Sequence, residues 1–177
     1  MGSVAIPRDT KDWTWVLERP CDQCGFDPSR FARDDFADLV RAGARRWSTV
    51  LSRDAVTVRE RADKWSDLEY ACHVRDVYRV FDRRLGLMMQ VDDPLFDDWD
   101  QDETALTDRY DQQEPSRVSD ELLRAARNYA QRLDSVTAEQ WARPGRRSNG
   151  SQFTIESLSL YALHDPLHHL WDVGVVD

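Results

Sequence analysis

Three of the four histidines in this chain crowd into Tyr161–Val173, which reads YALHDPLHHLWDV. His164 and His168 lie four positions apart. That is about 400° of helix rotation, so both rings can leave one helix face a turn apart. Asp165 and His169 have the same spacing and form a competing, less favoured pair, rotated about 100° round the same helix, so His169 is the expected non-ligand. The fourth histidine, His73, stands in KWSDLEYACHVRDV, seven residues after Ser66. One histidine from one helix and a four-spaced pair from another make a three-donor set. Three protein ligands plus an open position is the arrangement of a catalytic metal, whereas structural zinc takes four protein ligands. Imidazole suits zinc, iron, nickel and copper alike, so the donors do not choose the metal. Pro166 interrupts the run. It removes a bond to the Ala162 carbonyl and costs about 3 kcal/mol in an ordinary helix interior. Either one helix stops at His164 and another starts with Pro166 in its first turn, or a kink leaves the rings together.

Other side chains compete for roles. Glu69, Asp76, Asp165 and Asp172 are candidates to hold the second ring nitrogen of a ligand, or to act as a base. Cys21-Asp-Gln-Cys24-Gly25 looks like half a zinc knuckle, but Cys72 is the one cysteine left and should face the core. Packing of an N-terminal segment is the favoured reading of Cys21 and Cys24, with redox and metal roles as alternatives. Residues 92–114 hold ten acidic residues and one basic one. Asp98, Asp100 and Asp102 alternate as in a calcium loop, yet Glu103 replaces the required glycine and Arg109 the closing glutamate. This stretch reads as a solvated crossover. Its Trp99 and Tyr110 are candidates to cover a pocket. Among Arg143, Arg146 and Arg147, Arg146 is a candidate for a substrate carboxylate, although neutralising nearby acids is the default.

These residues need elements to position them. At 177 residues the chain is expected to form one domain over 1–177. The net charge of −9 argues against a nucleic-acid partner. No apolar run reaches the roughly 18 residues of a membrane span. No signal-peptide pattern opens the chain, so a cytoplasmic protein is expected. Three cysteines make no disulfide framework. Residues 1–30 carry no helical period and read as an extended wrap anchored by Trp13, Trp15 and Phe26. Helical periods then start near Asp34, at the capping box Ser66–Glu69, near Val118 and near Thr154. Thr137–Gln140 should open a turn carrying Trp141, and RPGRRSNGSQ reads as a polar loop. Without convincing strands, the fold class is all-α, a four-helix bundle. A small-molecule substrate is the expected partner, with homodimerisation an open option.

The stretches KWSDLEYACHVRDVYRVFDRRL and FTIESLSLYALHDPLHHLWDV, in this order, resemble the helix-two and helix-four motifs of the DinB/YfiT-like metalloenzymes. The resemblance spans about Asp34 to Asp172. It implies an up-down-down-up bundle with a divalent metal, zinc first and nickel or iron next, on the positions matching His73, His164 and His168. That family includes thiol S-transferases that use low-molecular-weight thiols such as mycothiol or bacillithiol. The leading expectation is therefore a metal-dependent transferase joining such a thiol cosubstrate to an electrophilic small molecule. The alternatives are a metal-dependent hydrolase and a non-enzymatic metal- or small-molecule-binding stress protein. Sulfoxide synthases with a similar bundle carry H-x-x-x-H-x-E; here Leu170 holds the last position, which departs from that chemistry.

Overall fold

The computed structural model describes residues 6–8 and 10–175. Four long helices form the bundle: α1 (Phe36–Val50), α2 (Asp67–Gln90), α4 (Pro115–Asp134) and α5 (Ile155–Asp172), with a short α3 (Gln101–Thr107) in the crossover. α1 and α2 each pack against both α4 and α5, so α1 and α2 sit on one diagonal of the bundle and α4 and α5 on the other, with α2 and α4 as neighbours. This is the up-down-down-up arrangement, and the long α2–α4 crossover is what permits it. Among the described residues, no helix is long and apolar enough to cross a membrane.

Local chemistry sets the helix ends. Ser66 Oγ accepts from the Glu69 amide (3.2 Å) and Glu69 Oε2 from the Ser66 amide (2.9 Å), both halves of a capping box. Pro115 occupies the first turn of α4, where its missing N–H costs nothing, and Glu114 caps the Arg117 amide at 2.8 Å. Thr154 and Ser157 cap α5 reciprocally. The α4 stripe Val118, Leu122, Ala126, Tyr129 and Leu133 faces the core, where Trp47 of α1 and Leu68 and Leu85 of α2 are fully buried. Burying each such apolar side chain contributes roughly 1.5–3 kcal/mol.

α5 runs unbroken through Pro166. The proline is accommodated inside one helix, and the Trp47 indole N–H donates to its carbonyl at 3.2 Å. The histidines on either side therefore keep helical spacing.

Two polar networks tie the connections to α2. Arg59 pairs with Glu69, which pins the 51–65 segment. Asp76 accepts both guanidinium arms of Arg75 (3.0 and 2.9 Å) and the Tyr110 hydroxyl (2.6 Å), which pins the crossover.

One expectation needs correction. The polar segment after Trp141 is not a loop but a hairpin, β2 (Pro144–Arg147) with β3 (Gln152–Thr154), and β1 (Leu95–Phe96) joins it in parallel. Its apolar content is too low to signal strands; the backbone bonds are made because Gly145 lies against α2. A Cβ on Gly145 would come within 2.8 Å of the Met88 side chain. Arg143 closes the seam by donating to the free carbonyls of Met88 (2.7 Å) and Val91 (2.9 Å) at the end of α2.

Candidate metal centre

α5 presents its two four-spaced pairs to different neighbours. Among the described residues, two groups of side chains bring metal-ligand atoms within 4.8 Å of one another: His73, Asp165 and His169, and Cys21, Cys24, His164 and His168. The expected set His73, His164 and His168 is thus divided between them. The reason is the 100° step between adjacent helix positions. α2 faces the side of α5 that carries Asp165 and His169. The N-terminal wrap covers the side that carries His164 and His168, and its short helical turn Thr14–Leu17 packs on α5.

In the first group, His73 Nε2 lies 3.1 Å from Asp165 Oδ1, and His169 Nε2 lies 3.7 Å from the same oxygen. The His73 and His169 rings are nearly perpendicular, with centroids 5.0 Å apart. His169 Nδ1 donates to Asp172 Oδ2 at 2.7 Å, which turns the Nε2 lone pair toward Asp165. Trp99 stacks flat on His73, 5.4 Å between centroids and 3° between planes, and Trp65 approaches at 5.4 Å. Burial acts to raise Asp165, but the His73 and His169 rings and the His73 hydrogen bond hold its carboxyl well below the usual carboxylate range. Asp165 is therefore an anionic donor at neutral pH. His73 is fully buried, and its Nδ1 has no hydrogen-bond partner. Two nitrogens and a carboxylate make a donor set that divalent metals accept, and of the three residues Asp165 and His169 line a cleft.

The cleft is about 830 Å³ in volume. Trp13, Trp65 and Trp99 give it aromatic walls, and its charged lining mixes bases such as Lys11, Lys64 and Arg147 with a larger number of aspartates. In the second group, Cys21, His164 and His168 are buried and Cys24 is half-buried. Burial and then the neighbouring His168 push His164 down to about 4, and burial also lowers His168. Burial pushes the Cys24 thiol up to about 11.

The remaining candidates fall as follows. Trp99 lines the cleft. Tyr110 does not: it is buried, donating to Asp76. Arg146 points to Asp93 at 2.9 Å, and the guanidinium that reaches the cleft is that of its neighbour Arg147. Strand alternation at β2 separates the two. Glu69 and Asp76 are engaged by arginines, and neither lines the cleft. Asp165 stands among the donors themselves, and Asp172 orients one of them. Cys72 is buried beneath Tyr110, and burial pushes its thiol up to about 12. Sequence reasoning missed the meeting of Cys21 and Cys24 with His164 and His168. The signal for it is the joint presence of C-x-x-C and H-x-x-x-H in one chain.

The comparisons with known proteins agree with this architecture. The structure of YfiT from Bacillus subtilis, described as a probable metal-dependent hydrolase with an unusual four-helix bundle topology, superposes with a TM-score of 0.70. It shares 17% sequence identity and covers 78% of this chain and 82% of its own, a likeness of fold. No curated protein matches the chain. The DinB superfamily profile matches residues 36–173, which takes in all four long helices and every histidine. The chain belongs to the DinB superfamily.

Proposed function

We propose that the chain is a metal-dependent enzyme whose open centre is held by His73, Asp165 and His169, and that it transfers a low-molecular-weight thiol to an electrophilic small molecule. The observation that carries this reading is a His–Asp–His donor set in which Asp165 and His169 line a cleft large enough for two small reactants and His73 is buried behind them. A divalent ion held there, zinc first among zinc, nickel and iron, would lower the pKa of a thiol or water toward neutrality. The chain's own residues supply the rest. Asp172 fixes the His169 tautomer through the 2.7 Å bond to Nδ1. Trp99 holds the His73 ring plane and shields it from water.

Hydrolysis is the second reading. It is favoured by the likeness to YfiT and differs only in the nucleophile, water in place of thiol. The test is a panel of thiols, mycothiol and bacillithiol included, with a generic electrophile on metal-loaded protein. Conjugate formation that disappears in His73→Ala supports transfer. Thiol-independent turnover of esters or amides moves the assignment to hydrolysis. Metal binding without turnover of either kind leaves a binding protein.

A further inference from the structure

Cys21 and Cys24 lie outside the matched span 36–173, and the proposed reaction does not use them. We infer that Cys21, Cys24, His164 and His168 form a second, closed metal site that holds a structural zinc ion and clips the N-terminal wrap to α5. Their donor atoms lie within 4.8 Å of one another. Cys21 Sγ is 3.6 Å from His168 Nδ1. A tetrahedron with Zn–S near 2.3 Å and Zn–N near 2.1 Å has an S···N edge of about 3.6 Å, so this pair already stands at ligand spacing. His164 Nε2 is buried without a hydrogen-bond partner, an arrangement that costs stability unless something is bound. Two thiolates and two imidazoles are a donor set typical of zinc, and four protein ligands leave no open position for catalysis.

The backbone around the cysteines is shaped for the purpose. The Gly25 amide donates to the Cys21 carbonyl (2.9 Å), and the Cys21 amide donates to the Phe26 carbonyl (2.8 Å). Gly25 takes φ +74°, a left-handed conformation that glycine adopts without strain. This tight turn puts both sulfurs on one side. Trp13 covers His164 and His168 at 5.4 and 5.1 Å, and Phe26 covers His164 at 5.3 Å. These rings shield the site from water. The clip also has a consequence for the neighbouring centre. It fixes the wrap whose Lys11 and Trp13 line the cleft. The site shares no ligand with His73, Asp165 and His169, so each can lose its metal while the other keeps its full ligand set.

The test is zinc content and cobalt spectroscopy on the full chain. Wild-type protein should release zinc as a mercurial reagent titrates Cys21 and Cys24, and its cobalt form should show a sulfur-to-metal charge-transfer band in the near ultraviolet. Cys24→Ser and Cys21→Ser should each lose one zinc per chain and the band, and His73→Ala should keep both the clip zinc and the band. Should the serine variants fail to fold, the wild-type titration and spectrum still decide. A metal-loaded wild type with no charge-transfer band, or with both thiols freely alkylated while all its metal stays bound, overturns the inference.

Discussion

The Asp172 carboxylate accepts a 2.7 Å hydrogen bond from Nδ1 of His169, and the same Oδ2 stands 3.9 Å from Nε2 of His168. One carboxylate near the end of α5 thus reaches a ring from each of the two donor groups. For His169 the bond places the proton on Nδ1 and leaves Nε2 as the metal-facing nitrogen. Removing such a partner typically weakens metal affinity about 10–100-fold. Asp172→Ala should do so at the open centre while leaving its three ligands in place. Metal titration against a competing chelator reads the change, and an unaltered affinity would show that the bond is incidental.

Trp99 connects the acidic crossover to the chemistry. Its ring lies parallel to His73 and its indole N–H donates to Thr104 Oγ1 at 2.8 Å. A stacked pair of this kind contributes about 0.5–1.5 kcal/mol beyond the area it buries. Trp99 is half-buried, so Trp99→Ala should cost about 0.5–3 kcal/mol of stability and raise KM, because the ring walls the cleft, with any fall in kcat reporting its hold on the His73 ring. Steady-state kinetics on the metal-loaded variant separate the two parameters.

Pro166 is embedded in continuous helix. Replacing it with alanine restores a donor for the Ala162 carbonyl and removes a penalty of about 3 kcal/mol. Loss of proline's restraint on the unfolded chain gives back about 0.4–1 kcal/mol. Pro166→Ala should therefore stabilise the fold by about 2 kcal/mol and raise Tm, with both donor pairs of α5 still in register. A fall in Tm would mean that the packing of the ring beside Trp47 outweighs the helix penalty.

Asp76 predicts the acid response. Burial opposes its ionisation, but Arg75, Tyr110 and Arg79 hold its carboxyl below the ordinary value. The folded state then binds its proton less readily than the unfolded chain does. Its contribution is complete above the ordinary aspartate value of about 3.9 and is lost as pH falls through the lower folded value. Asp76→Asn should flatten that part of the stability–pH curve. At neutral pH it should cost about 2–4 kcal/mol, since the buried Arg75 keeps Glu121 alone as a charged partner. Denaturant melts across pH on both proteins measure this.

Much of the frame was legible in the chain. The serine–glutamate box at Ser66 and the apolar periods of α1, α2, α4 and α5 mark the bundle, because helix capping and amphipathicity are local properties. The hairpin Pro144–Thr154 was not legible: its arginines and glycines carry no strand period, and its backbone pairs because Met88 and β1 lie alongside. At the site, sequence spacing offered two pairs on one helix, His164 with His168 and Asp165 with His169, and residue type favoured the two-histidine pair with His73, whereas the fold gathers His73 with Asp165 and His169. Spacing is a property of one helix, whereas a ligand set is a property of what faces it.

The sequence by itself determined the helices, the four-residue intervals and the presence of a C-x-x-C turn ahead of the bundle. Only the tertiary structure decided the partners. α2 brings His73 to Asp165 and His169, and the N-terminal wrap brings Cys21 and Cys24 to His164 and His168. The physical reason is the 100° rotation between neighbouring helix positions. It sends adjacent residues of α5 toward different elements, and only the packing of those elements shows which donors meet.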